Sequence, residues 1–452
     1  VPRPISLALV FSFLFLPWTG AAGRAARAQE AAAPSPLPRV VRSLDECVAI
    51  ALERHPGIGA ADADVEAGRA RIGQARSGYL PQLSGDWSTN RQKSSFSSRT
   101  GGPSNAAGGA VSQANAFTFH QGAVSLSQTL FDFGQTFAAI RAAQARTDSL
   151  AADADTTRRQ IVLEVKESYF GLLAARRLAD VAEETVRSNE QQLAQARGRN
   201  EVGFAPRLDV TRSEVQLASA ELDRLSARNN VSIAEVTLQN ALGVDGPLAF
   251  ELEDVLADPR PVPEERSALE RAYERRPELL SLLAEERAAE QDVAQRWRQL
   301  LPTVRGNANY GGSASDFPLE EQWSVGAAVD VPIFDGGLTL SRVSEGKAVL
   351  HSLRFEQQRL RQQIALQVRT ALLDVQRTAE AMRVTERATG QARENLELAE
   401  GRYQTGVGNV IELVDAQRAR ASADADYVRA LYDHQIAVAA LEQAIGEELP
   451  RP

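Results

Sequence analysis

ARGRNEVGFAPRLDV, residues 196–210, is written a second time as AEGRYQTGVGNVIEL, residues 399–413. Both copies run on without a gap, one to LQNALG (238–243), the other to LEQAIG (441–446). Gly203 therefore falls on Gly406, Asp209 on Glu412 and Gly243 on Gly446, each pair 203 residues apart. FDFG (131–134) falls on FDGG (334–337) at the same spacing. Nearer the N-terminus the spacing is 221: HP (55–56) matches RP (276–277), and YLPQL (79–83) matches LLPTV (300–304). The 18-residue difference lies between about residues 84 and 130, in a loop-like region. Two long copies that differ by one tolerated insertion indicate one architecture built twice.

Within each copy the pattern changes from helix to strand and back. Short amphipathic segments, LDECVAIALERHP (44–56) and SALERAYERRP (267–277), are followed by second helices near 57–78 and 278–299, which Pro81 and Pro302 end. Then comes alternation at period two. Trp323, Val325, Ala327, Val329 and Val331 interleave with Ser324, Gly326, Ala328 and Asp330. Val304, Gly306, Ala308 and Tyr310 interleave with Arg305, Asn307 and Asn309, and Leu83, Gly85 and Trp87 with Ser84, Asp86 and Ser88. Such alternation predicts strands with one apolar and one polar or small face. The stretch 117–130 alternates less cleanly, and the Gly/Ser/Asn-rich 94–116 reads as the loop before it. Residues 136–202 and 339–405 are free of proline, rich in alanine and charge, and predict helices of about 100 Å each at 1.5 Å per residue. Each turns at a glycine, Gly203 or Gly406, and returns to Gly243 or Gly446, residues suited to helix C-termini. Helices this long must pack laterally as coiled coil.

Composition narrows the function. Of 452 residues, 24% are charged and 43% apolar, with a net charge of −9 and no Lys/Arg-rich tract, so nucleic acid is not expected as a partner. One cysteine, Cys47, excludes an internal disulfide, and four scattered histidines without HxxxH or CxxC spacing argue against a zinc site. No phosphate-binding glycine loop or nucleophile elbow occurs, so neither an enzyme nor a cofactor is expected. Arg3, the apolar run Ile5 to Trp18 and Ala26-Arg27-Ala28 read as a cleavable export signal.

The expected organisation is a signal peptide (1–28), a linker (29–43), a first repeat (44–243) with strands near 83–96 and 117–130, a linker (244–263), a second repeat (264–446) with strands near 304–313 and 322–333, and a C-terminal tail (447–452). The fold class is mainly α with a small β part: a duplicated unit of long coiled-coil helices. Four strands cannot close an outer-membrane barrel, which starts at about eight. They either pool between protomers, twelve from three chains or eight from two, or belong to a soluble sheet.

VPIFDGG (331–337), its counterpart TLFDFGQ (129–135), the L-x-x-A-x-x-x-x-P helix opening at Leu269, and the turn YQTGVGNVIELVDAQ (403–417) resemble the TolC-like outer-membrane efflux family over essentially the whole mature chain. The resemblance implies a homotrimer, with a twelve-stranded barrel in outer-membrane lipid and a helical barrel reaching into the periplasm. It also implies docking on a periplasmic adaptor and an inner-membrane pump, and export of small amphiphilic compounds. The outer-membrane channel of a type I protein-secretion system would share the fold. A soluble periplasmic coiled-coil adaptor is the reading from another class, and the duplicated strands count against it.

The resemblance also implies a periplasmic gate at Tyr403, Glu412 and Asp415, with Asp209 as the acid to which the tyrosine bonds. Carboxylates converging from three chains would repel one another and attract cations. A second reading of the same acids stands beside it. Asn409 followed by Glu412 fits a capping box, and Asp209 lies in the first turn after Pro206. The family's arginine is absent here, where Gly408 stands, so the expected latch between protomers is in question. Asp132 and Asp335, each just before a long helix, are expected to cap it. Trp87 and Trp323 read either as interfacial girdle residues or as sheet-face aromatics.

Overall fold

The computed structural model describes residues 41–93, 116–247, 250–254, 263–315 and 317–447. The signal-like segment 1–28, most of the linker that follows it, and residues 94–96 of the first expected strand lie outside the described residues.

Each copy opens with two short helices, α1 (Leu44–Arg54) and α2 (Pro56–Ser77), then α5 (Glu265–Arg275) and α6 (Pro277–Arg298). Ser43 caps α1 by accepting from the Glu46 amide at 3.3 Å, and a proline begins α2 and α6, where its missing N–H costs nothing. Two-residue strands β1 (Val41–Arg42) and β4 (Glu251–Leu252) pair in parallel beside them. The main strands are β2 (Gln82–Lys93), β3 (Ala116–Phe131), β5 (Thr303–Ala314) and β6 (Glu320–Asp330). They form one antiparallel sheet in the order β2-β3-β5-β6, with both outer edges unpaired among the described residues.

Register carries the alternation across all four strands. Leu83, Leu126, Ala308 and Val325 stand side by side in one row, and Gly85, Val124, Tyr310 and Trp323 in the next. Between these rows, on the opposite face, lie Ser84, Ser125, Asn309 and Ser324. A bulge between Thr129 and Phe131 shifts β3 against β5, which is why the pattern near 130 was harder to read than the others.

The long helices are α3 (Gln135–Glu201) and α7 (Leu338–Gln404), 67 residues each, and the returning helices are α4 (Arg207–Leu242) and α8 (Val410–Ile445), 36 residues each. A returning helix matches only the far part of its long partner. The remainder is matched by a short one: Gly243 at the end of α4 abuts His55 and Pro56 at the start of α2, and Gly446 at the end of α8 abuts Arg275 and Arg276 before α6. Glycine is needed at Gly243 twice over. Its φ is +64°, and a Cβ there would stand 2.8 Å from the His55 Cα. At this level lies the main apolar core, where Cys47, Val48, Val165, Leu172, Leu238 and Leu242 pack together, and the Tyr169 hydroxyl donates to the Glu253 carbonyl at 2.5 Å.

Candidate channel wall and gate

At the sheet end, Asp132 is 3% exposed and gathers four donors. They are the amides of Gly134 (3.0 Å) and Thr136 (2.8 Å), the Thr136 hydroxyl (2.5 Å) and the Tyr79 hydroxyl. Burial alone would push this carboxyl up, but the bonds from Thr136, Tyr79 and Gly134 outweigh it and hold it below the usual carboxylate range. The Tyr79 phenol is pushed up to about 12, by burial first and by the Asp132 bond second. Asp335 makes the same cap on α7, accepting from Gly337 (3.0 Å) and Thr339 (2.8 Å), and its carboxyl is also lowered, chiefly by Thr339. Both expected caps are formed through the recurring pattern Asp-x-Gly-x-Thr, with Gly134 and Gly337 both at φ +84°.

The sheet between these caps is exposed on both faces. Trp323 is 72% exposed, and Leu83, Trp87, Val325 and Val329 are likewise open on the apolar face. Trp87 lies flat across Gly122, where a Cβ would come within 2.6 Å of the indole, and stacks on Phe317 with centroids 6.1 Å apart. Phe131, which ends β3, and Phe133, Ile333 and Phe334, just beyond the strand ends, are also exposed. An apolar band flanked by aromatic residues on one side and a polar face on the other is the wall of a membrane channel.

At the far ends of α3 and α7, about 100 Å away, two similar turns close the hairpins. Gly203 (φ +80°) lets the amides of Phe204 and Ala205 return to the Arg199 carbonyl at 2.8 and 3.2 Å. Gly406 (φ +77°) does the same for Val407 and Gly408 on the Arg402 carbonyl, at 3.0 and 2.8 Å. A Cβ at Gly408 would stand 3.0–3.1 Å from Arg402 and the Tyr403 amide, so an arginine there would require this turn to shift. Asn409 accepts from the Glu412 amide at 2.9 Å, the expected cap on α8.

The expected gate residues are only partly brought together. Tyr403 is buried with Leu396, Ala399, Val410, Leu413 and Ala416. The resemblance implied a hydrogen bond from Tyr403 to Asp209, but none joins them among the described residues. Instead the Arg199 guanidinium lies 4.4 Å from the centre of the Tyr403 ring and donates to the Tyr403 carbonyl at 3.1 Å. Glu412 is paired with Arg402 at 3.0 Å, both about half exposed. Asp415 is exposed and Asp209 half-buried, each without an ion pair among the described residues. Sequence reasoning missed both arginines, although the 203-residue spacing sets Arg199 on Arg402.

A duplicated hairpin pair that carries an amphipathic sheet at one end and charged turns at the other defines an outer-membrane duct. The family described as outer membrane efflux protein matches residues 48–244 and 268–447, and the chain belongs to it. It is 22% identical over 410 residues to the outer membrane protein TolC of Escherichia coli, covering 87% of this chain and 80% of that protein. It is 25% identical over 409 residues to the alkaline protease secretion protein AprF of Pseudomonas aeruginosa, covering 88% and 83%. The crystal structure of the outer membrane protein VceC of Vibrio cholerae superimposes with a TM-score of 0.75 at 19% identity, over 89% of this chain and 96% of that one.

Proposed function

We infer that the protein is the outer-membrane exit channel of a tripartite efflux pump, passing small amphiphilic compounds from the periplasm to the outside. One observation carries the reading: a four-stranded sheet exposed on both faces, one apolar and one polar, with both edges free among the described residues and long helices running from it. Open edges are not viable in lipid, so the strands need partners from other copies. Three copies supply twelve strands, and the polar faces then line one lumen. The helical part closes for a different reason, to cover the exposed apolar stripe of Leu225, Ile233 and Val236 on α4, and the lumen continues into it. A periplasmic adaptor and an inner-membrane pump are the further partners, as in the systems the family serves.

The gate lies at the hairpin ends, with the acids Glu412, Asp415 and Asp209 near the axis. Arg199 holds Tyr403 there and links the two hairpins of one chain, whereas the arginine that the family carries at the Gly408 position links neighbouring protomers. Deleting the gene is expected to sensitise cells to amphiphilic toxins. If toxin tolerance were unchanged and secretion of one protein were lost, the channel would serve type I secretion, the use that the name of the AprF relative points to.

A further inference from the structure

Where the sheet meets the long helices, the polar face sinks into a recess of about 370 Å³. Gln82, Thr129, Thr303, Arg305 and Asn307 line it, with exposed Leu80 at its margin. Arg305 is the one cation of this lining, and among the described residues its guanidinium makes no ion pair or hydrogen bond. Asp132 also borders the recess, but its carboxylate is taken by Tyr79, Thr136 and Gly134. Asp330, opposite Thr303 on β6, is the diagonal neighbour of Arg305 on the same face and does not pair with it.

The remaining polar groups are amides and hydroxyls, all able to donate. A planar fork of donors, surrounded by further donors and edged by an apolar side chain, matches an anion that carries an apolar body. We propose that this recess binds the anionic head, carboxylate or sulfonate, of an amphiphile in transit. The inference rests on the polar face lining the lumen, and it adds a station to that path. Three copies would form a cationic collar at one level of a protein whose overall charge is −9. The collar would draw anions toward the exit, as a ring of arginines does in an anion pore.

The test is equilibrium binding of radiolabelled cholate to the trimer in discs of neutral lipid, for wild type, Arg305→Ala and Arg305→Lys. Alanine should weaken binding about tenfold, the loss expected for a hydrogen bond to a charged group. Lysine should keep part of the affinity. Uncharged octyl glucoside should not displace the label. Among the described residues Arg305 makes no side-chain hydrogen bond, so the variants are expected to fold, and native mass checks that they do. Equal binding by wild type and Arg305→Ala, or displacement by octyl glucoside, overturns the site. Conductance of the same samples in planar bilayers separates the two readings. A protein that conducts but binds cholate regardless of Arg305 keeps the channel and loses the site. One that binds through Arg305 but passes no current keeps the site and loses the duct.

Discussion

Asp132 and Asp335 make the same cap in the same pattern, yet one is buried and the other open to solvent. The difference extends along the whole molecule. In the first copy, α3 is covered by α4, α2, α1, α6 and α8, the last two supplied by the second copy. In the second copy, α7 is covered by α8, α6 and α5, and Leu366, Leu373 and Leu398 are left bare. The returning helices differ in the same sense. On α8, Val428 and Ile436 pack against the main core, and Ala439 is buried. On α4 the matching Leu225, Ile233 and Val236 are 66%, 57% and 62% exposed. Leu208, Val215 and Leu222, spaced by sevens, extend that stripe, the seam of a coiled coil without its partner. If copies assemble as proposed, α3 against α6 and α8 is the internal pattern for the contact that α7 would make with α2 and α4 of the next protomer.

The largest expected effect breaks that equivalence directly. Leu222→Asp with Leu225→Asp places two charges in the seam on α4 and should abolish the trimer. The same changes at the matching Ala425 and Val428 should instead unfold the chain, because that contact is internal. Native mass in detergent and circular dichroism distinguish the two, and a trimer that survives the α4 pair would refute the equivalence. Next in size are the caps. In monomers, Asp132→Ala should cost roughly 2 kcal/mol or more, since it removes a cap and leaves Tyr79 and Thr136 unpaired. Asp335→Ala should cost less. In the trimer, where Asp335 gains cover, the two losses should approach each other. Thermal unfolding of both variants, above and below the dissociation concentration, reads this.

A smaller effect is expected at the turns. Glu412→Ala with Asp415→Ala should weaken cation preference in single-channel recordings, because carboxylates that converge on one axis act more strongly than on an open surface. Pure capping predicts lost stability with selectivity unchanged. Arg199→Ala should raise conductance by freeing Tyr403, with selectivity kept. The smallest effect concerns His434, buried on α8 with the Thr378 hydroxyl 3.1 Å from its Nδ1. Burial lowers its pKa below the ordinary 6.5. The folded state therefore binds this proton less readily than the unfolded one. Its contribution is whole above about pH 6.5 and is lost as pH falls through the lowered value. His434→Gln should flatten that part of the stability–pH curve and leave the neutral end unchanged.

Much of this was legible in the sequence, and the boundary of legibility is physical. Period-two alternation marked β5 within one residue and β6 within three, because one face of each must suit lipid. The proline-free runs marked α3 and α7 within one residue. Asp132 and Asp335 were readable as caps because capping is local. The partner of Tyr403 was not, because it depends on how two hairpins separated by 200 residues lean on each other. Nothing in the local pattern favours Arg199 over Asp209. The alignment of Arg199 with Arg402 was available, but it could not tell that one reaches across to the other hairpin while its twin stays within its own.

The joints at Gly243 and Gly446 have a mechanical meaning. A single helix transmits torque along its full length, whereas two helices butted end to end do not. Each chain has two unbroken struts, α3 and α7, and two spliced ones, and both splices fall at one height beside the main core. In the tube proposed above, that height would be the fulcrum. Above it the wall is stiffened by the sheet and the short helices; below it α4 and α8 are levers whose free ends carry the turns at Gly203 and Gly406. A small tilt at a glycine joint would become a wide sweep some 54 Å away, so an opening at the proposed gate would need little distortion at the root.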